Sequence, residues 1–395
     1  MKYDFDKVVD RRNTNSIKWD ANEARFGEKD LLPLWVADMD FEVAQPIVEA
    51  IQERVNHKIY GYNMQSDSTY DAVAHWLKKR HGWEVEKESM KFSPGVVPAL
   101  STLVRALTAP GDKVMIQTPV YYPFFKMVEK NDRELVQNEL VYKEQEKRYV
   151  IDFEDFEQKA KDPALKMVIL SNPHNPVGRV WNQEELERMG SICVDNDVII
   201  ISDDIHYDLM LNGNKYIPIA SLSEEFKQQT VTCIAPSKTF NLAGMQTSVI
   251  ILPNKEHRGA FADEIETQGI GMLNSFGAAA MEAAYNHGDE WLDQLISYLE
   301  GNLEFLKEFI AEKLPKVDVI EPEGMYLVWM DFRKYGLDYK ELESVMLKKA
   351  KIALNQGHIF GEGGRGFLRI NIACPRSTLK EGLERIVSGM ESAAE

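Results

Sequence analysis

Cysteine is scarce in this chain: Cys193, Cys233 and Cys374 are the only three in 395 residues, odd in number and far apart. That excludes a disulfide framework, so the thiols are expected as buried apolar groups in a reducing, cytoplasmic setting. The eight histidines show no paired-ligand spacing, so no metal site is expected. Basic residues are also in deficit, 46 against 63 acidic ones, for a net charge of -17. A polyanion would be repelled, which argues against a nucleic-acid groove or an anionic membrane surface. No apolar run approaches the ~18 residues that span a bilayer. The opening Met1-Lys-Tyr-Asp-Phe-Asp-Lys has no apolar core and predicts no secretory signal. Repeats, low-complexity segments and a G-x-S-x-G nucleophile elbow are all lacking.

What is present is enough apolar content, 44%, to bury two cores. The stretch to residue 45 has mixed charge and little periodicity; Pro46 then opens a helix, and residues 68–80 read as a second, amphipathic one. Five short apolar runs follow among helical stretches: Lys113–Gln117, Met167–Ser171, Val198–Ser202, Val231–Ala235 and Ser248–Leu252. Continuous β-branched runs of this kind suit a mainly parallel sheet covered on both faces, hence an α/β domain. A long helical pattern from Glu290 to Leu314 leads to a smaller α+β domain holding Tyr326–Asp331 and Gly366–Ile372. The expected division is an N-terminal segment 1–45 packing with the small domain, a large domain 46–287 and a small domain 288–395.

The chemistry-bearing residues cluster after the strands, where open α/β sheets bind ligands. Lys238, in Ala235-Pro-Ser-Lys-Thr-Phe240, is either a solvated loop charge or a covalent anchor for an aldehyde cofactor. Asp203, in Ser202-Asp-Asp-Ile-His206, can hold a pyridine nitrogen protonated or cap a turn. His206 can face a phenolic oxygen or serve structure alone. Asn172-Pro-His-Asn-Pro-Val-Gly178 presents Asn175 from a proline-stiffened loop, or is an ordinary turn. Ser93-Pro-Gly-Val-Val97 runs into a helix whose first N–H groups, at Val96 and Val97, can bind phosphate. Either ring of Tyr121-Tyr122 can stack on a flat cofactor or join a core. Arg369, within Phe367-Leu-Arg-Ile-Asn371, can grip a carboxylate bidentately or lie on the solvent face of an edge strand. Together these are the parts of a pyridoxal phosphate site. Gly361-Glu-Gly-Gly-Arg-Gly366 matches G-x-G-x-x-G but precedes a strand instead of opening a helix, so it reads as a loop delivering Arg369.

These residues resemble the fold-type I pyridoxal-phosphate enzymes, and within them the MalY/PatB-type cystathionine β-lyases, nearly end to end. The markers are Ser16-Ile-Lys-Trp-Asp20, Leu34-Trp-Val-Ala-Asp-Met-Asp-Phe41, Tyr60-Gly-Tyr62, Arg80-His-Gly-Trp83, Ser93-Pro-Gly-Val-Val97, Asn172-Pro-His-Asn-Pro176, Asp204-Ile-His206 and Ser237-Lys-Thr-Phe-Asn241. The resemblance implies a seven-stranded-type α/β/α large domain and the cleavage of cystathionine or other cysteine S-conjugates to a thiol, pyruvate and ammonia. An aminotransferase of the same fold, or an added regulatory role through protein contacts, stays open. It assigns Lys238 as anchor, Asp203 to the ring nitrogen, Asn175 and His206 to the phenolic oxygen, and Tyr121 to the ring face. Val96 and Val97 would meet the phosphate through their main chain and Ser237 would contact the cofactor, with Tyr60 crossing to the phosphate from a second subunit of a homodimer; Asn274 would cross likewise. Arg369, with Val36-Ala37 main chain and Asn175 nearby, would hold the substrate carboxylate. Lys238, with Tyr60 or Tyr121 near the sulfur, would protonate the leaving group. One departure stands out: Gln246 occupies the place where many relatives of this fold carry a phosphate-binding arginine.

Overall fold

A computed structural model describes residues 2–394. The valine- and isoleucine-rich runs become the centre of a seven-stranded sheet: β1 (Met90–Ser93), β2 (Lys113–Thr118), β3 (Glu134–Glu139), β4 (Leu165–Ser171), β5 (Ile199–Asp203), β6 (Thr230–Ile234) and β7 (Ser248–Ile251). Their spatial order is β1-β7-β6-β5-β4-β2-β3. Every pairing is parallel except the two that β7 makes with β1 and β6. β6 and β7 are buried at every position, as strands covered on both faces must be. All five expected strands occur within two residues of their expected ends. The strand after Val198 starts and stops one residue later than expected, so Asp203 is its last residue.

Two strands were not expected from sequence. β1 is four residues long, and β3 is an acidic edge strand with one buried position, Asn138. Neither carries an apolar run. The helix opened by Pro46 is α1 (Gln45–His57), and residues 68–80 lie in α2 (Asp67–His81). α3 (Val96–Leu107) follows β1 directly. α4 (Ser275–His287) leads into the 25-residue α5 (Asp289–Lys313).

The second sheet, entirely antiparallel, has the order β8-β9-β11-β10, with β8 (Asp318–Ile320), β9 (Leu327–Asp331), β10 (Asn355–Gln356) and β11 (Phe367–Asn371). The N-terminal stretch folds as two short helices, Ile17–Asp20 and Asn22–Phe26, then pairs Leu32–Pro33 parallel to Ile352–Ala353. The 361–366 segment is a loop with one short turn before β11, as expected. All three cysteines are free and buried. No described helix is long and apolar enough to cross a membrane. No cluster of three metal-ligating side chains occurs among the described residues.

Candidate active site

Because all strands but β7 point the same way, the residues after β1, β2, β4, β5 and β6 emerge at one edge of the sheet. At the end of β6, Pro236 starts a single helical turn, Pro236–Thr239, that turns Lys238 back toward the sheet edge. Its Nζ donates to the Ala37 carbonyl at 2.6 Å. Burial pushes the amine down to about 8; Asp38 and Asp203 oppose the shift and Arg369 adds to it. A partly neutral amine is a nucleophile near neutrality. Capture of pyridoxal phosphate by the coenzyme-free protein should therefore accelerate as pH rises through about 8, where an ordinary lysine would show its midpoint near 10.5. Stopped-flow absorbance against pH checks this, and a midpoint at the ordinary value would contradict it.

Two neighbouring aspartates have opposite fates. Asp204 is turned inward, where its oxygens accept from Ser202 Oγ and the Tyr216 hydroxyl. Asp203 is also buried, but its carboxylate accepts only one long bond, from the Ile205 N–H at 3.3 Å. Burial raises the Asp203 carboxyl to about 7, against the pull of that N–H and of Lys238. The chain thus leaves this acid without a strong proton-bearing partner. His206 is buried with its Nδ1 unpartnered, its ring edge-on to Tyr326 at 6.0 Å between centroids. Burial first, then the charges of Lys238 and Arg369, keep the imidazole neutral.

The asparagine loop is docked from two sides. His174 Nε2 donates to the Pro119 carbonyl at 2.9 Å, so this loop is joined to the one that carries Tyr121. The Asn175 main-chain N–H donates to Ser171 Oγ (3.3 Å) and its Oδ1 accepts from Arg369 Nη1 (2.7 Å), which leaves its Nδ2 to donate elsewhere. The Tyr121 hydroxyl is pushed up to about 12, by burial first and then by Tyr122 and Asp203, with Arg369 opposing. That ring therefore sits within electrostatic reach of both Asp203 and Arg369.

Arg369 lies in an interior strand, only 3% exposed, which rules out the solvent-face alternative. Its Nη2 donates to the Trp35 carbonyl at 3.1 Å and to Asn355 Oδ1, and the guanidinium lies 4.9 Å from the Phe360 ring centroid. Its Nε has no partner, and among the described residues its hydrogen-bond acceptors are Asn175, Asn355 and the Trp35 carbonyl, none of them acidic. Burial lowers its pKa to about 10. A buried cation without a counter-ion is costly, and a ligand carboxylate would relieve that cost.

Around the same edge, α3 begins at Val96 behind Gly95, with no side chain capping it. The first intrahelical bond is from Ala99 N–H to the Gly95 carbonyl, so the N–H groups of Val96 and Val97 are open to an anion. Ser237 is half-buried beside Lys238, and Gln246 is exposed with φ +52°. Tyr60 stands apart: its hydroxyl donates to the Val55 carbonyl at 2.8 Å and its ring packs on Phe276. Asn274 caps α4 through Gly277 N–H (2.7 Å) and donates to the Met245 carbonyl (2.8 Å).

Lys238, Asp203, Asn175, His206, Tyr121, Arg369 and Ala37 thus come together. The sequence reading did not single out Asn355, Phe360 or Tyr326, whose hydroxyl shares the Ala37 carbonyl with Lys238 at 3.0 Å. Asn355 sits in a two-residue strand and Phe360 in a short turn, neither with a pattern to read. Tyr326 lies just before β9, in a run whose apolar residues read only as a strand of the small domain.

The chain belongs to the aminotransferase class I and II family, whose model matches residues 14–386. Among particular relatives, it is 49% identical to cystathionine beta-lyase PatB of Bacillus subtilis, over 98% of this chain and 99% of that one. It is 47% identical to a PLP-bound candidate aminotransferase from Clostridium difficile 630, with a TM-score of 0.97 over 98% of this chain and 100% of the other. A PLP-bound C-S lyase from Staphylococcus hominis is 35% identical, with a TM-score of 0.91 over 99% and 98%.

Proposed function

We propose that this chain is a pyridoxal-phosphate-dependent C–S β-lyase that cleaves L-cystathionine or related cysteine S-conjugates to a thiol, pyruvate and ammonia. The observation that carries the reading is a set of unmet polar groups facing one edge of the sheet. The Asp203 carboxyl lacks a strong donor, His206 Nδ1 and Arg369 Nε lack partners, and the α3 N-terminus lacks a cap. A flat, phosphorylated pyridine with a phenolic oxygen fits those vacancies, and an α-amino acid fits Arg369. When bound, pyridoxal phosphate supplies an aldehyde for the substrate amine and a ring that accepts an electron pair.

The residues then have separable tasks. Lys238 anchors the cofactor and its Nζ, once free, takes the Cα proton. Asp203 keeps a proton on the ring nitrogen, and Asn175 and His206 face the phenolic oxygen. Tyr121 would cover the ring, and the N–H groups of Val96 and Val97, with Ser237 nearby, would hold the phosphate. Arg369 holds the α-carboxylate with the Val36-Ala37 main chain alongside, which fixes the Cα–H bond in front of Lys238. Lys238, or a tyrosine hydroxyl from Tyr121 or Tyr60, returns a proton to the departing sulfur. Help of that kind is typically worth roughly 10²–10⁴-fold.

We also propose a homodimer in which Tyr60 serves the neighbouring subunit. Ile59, Tyr60, Tyr62 and Met64 form an exposed apolar run, with Tyr62 99% exposed, which a partner surface would cover. We likewise propose the domain division at residues 45 and 287, supported by the start of α5, the long helix leading to the second sheet, at Asp289. A cytoplasmic location agrees with three free, buried thiols.

Purified protein given L-cystathionine and no keto acid should release thiol and pyruvate in equal amounts. A reaction that yields no thiol and runs only when a keto acid is added would make the chain an aminotransferase instead.

A further inference from the structure

The marker Ser16-Ile-Lys-Trp-Asp20 has no part in the chemistry above, yet it is built into the site's outer wall. Lys18 is 0% exposed, an unusual place for an ammonium. Its Nζ donates to Asp40 Oδ2 at 2.7 Å and to the Asp38 carbonyl at 3.2 Å, and lies 3.5 Å from Asp38 Oδ1. Trp19 Nε1 donates to Asp40 Oδ1 at 2.9 Å. Arg11 reaches the same oxygen at 2.7 Å, the Met39 carbonyl at 3.1 Å and both oxygens of Asp38 at 3.2 and 2.8 Å. Burial alone would raise the Asp40 carboxyl, but Lys18, Trp19 and Arg11 hold it below the usual range. Asp20 keeps this segment folded by accepting the main-chain N–H groups of Asn13, Thr14 and Ser16.

What the cluster grips is the strap 35–41. On its inner side, the Trp35 carbonyl accepts from Arg369 and the Ala37 carbonyl from Lys238. Asn371, two residues after Arg369 on β11, donates to the carbonyls of Val36 and Asp38, both at 2.6 Å. Asn241, three residues after Lys238, brackets Met39, accepting its N–H and donating to its carbonyl, both at 3.0 Å. The strap is therefore one short piece of main chain held between the anchor lysine and the carboxylate-binding arginine. It is fixed from outside by charges that touch neither.

We propose that Lys18 and Asp40 are positioning residues for recognition of the substrate α-carboxylate, holding the Val36-Ala37 main chain in register with Arg369. This rests on the assignment of Arg369 to that carboxylate, and its test separates the two. Coenzyme-loaded protein is titrated with L-alanine and with L-alaninamide, followed by the coenzyme's visible absorbance. Neither probe carries sulfur, so the readout does not depend on lyase turnover. Wild type should prefer the carboxylate over the amide. K18M/D40N removes both charges together, so that neither is left buried alone. It should narrow that preference about tenfold, within the roughly 10²-fold that a misplaced positioning contact can cost. Coenzyme affinity should stay within about twofold, and Lys18→Arg alone, which keeps both charges, should retain the wild-type preference. Should the double variant not fold, Trp19→Phe removes a single donor to Asp40 and should narrow the preference in the same direction. An unchanged preference in a folded variant overturns the proposal while leaving Arg369 in its role. A wild type that does not distinguish the two probes overturns both.

Discussion

Replacing Lys238 by alanine is expected to lower thiol release from L-cystathionine by more than about 10⁴-fold and to abolish the imine absorbance of the coenzyme-loaded protein. General acid–base help alone accounts for roughly 10²–10⁴, and this change also removes the covalent anchor. The loss should be chemical, not structural. Lys238 makes one hydrogen bond, to the Ala37 carbonyl, and that carbonyl keeps the Tyr326 hydroxyl as a donor. No buried acceptor is orphaned, so the thermal midpoint should stay close to that of wild type. Thiol release at the wild-type rate in a folded K238A protein would remove the anchor assignment.

Asp203→Asn has the second largest expected effect, a fall of about 10²–10³ in kcat, the scale of losing one preorganised electrostatic partner. Asp204 cannot stand in, because Ser202 and Tyr216 already hold both its oxygens. The same variant has a stability signature in the coenzyme-free protein. The folded-state pKa of Asp203 is raised from 3.8 to about 7 by burial. Its contribution to stability is thus fully present at pH below the unfolded value and is lost as pH rises through about 7. The loss amounts to ~4 kcal/mol at most, at 1.36 kcal/mol per pKa unit. D203N, which carries no charge, should therefore melt higher than wild type above pH 7 and show no such advantage at pH 4. Parallel melting curves at the two pH values check the sign; an equal shift at both would mean that Asp203 is not the titrating group.

The sequence made the large sheet legible because its central strands are buried on both faces and so are apolar throughout. Each site residue just after one of them could be placed from chain order alone. Reading stopped where burial is one-sided or elements are short. The edge strand Glu134–Glu139 reads as polar coil, and Asn355 has only one strand neighbour, Gln356. Arg369 was ambiguous for a related reason. An arginine in a strand says nothing about whether that strand lies at the edge of its sheet, and only the order β8-β9-β11-β10 decides it. The 1–45 stretch was the least readable. Its order comes from Lys18, Arg11 and Asp20 meeting carboxylates and main chain, contacts that leave no periodic trace.

Three stretches far apart in the chain grasp the Arg369 guanidinium: the Trp35 carbonyl, Asn175 and Asn355. Fraying of any one of them would remove one of the guanidinium's three acceptors, while the Lys238 turn is built directly on β6. With Arg369 in the role proposed for it, gentle stress on this protein is expected to weaken its grip on the α-carboxylate before it bleaches the yellow of the bound coenzyme. Colour alone is then no measure of how well a preparation holds its substrate.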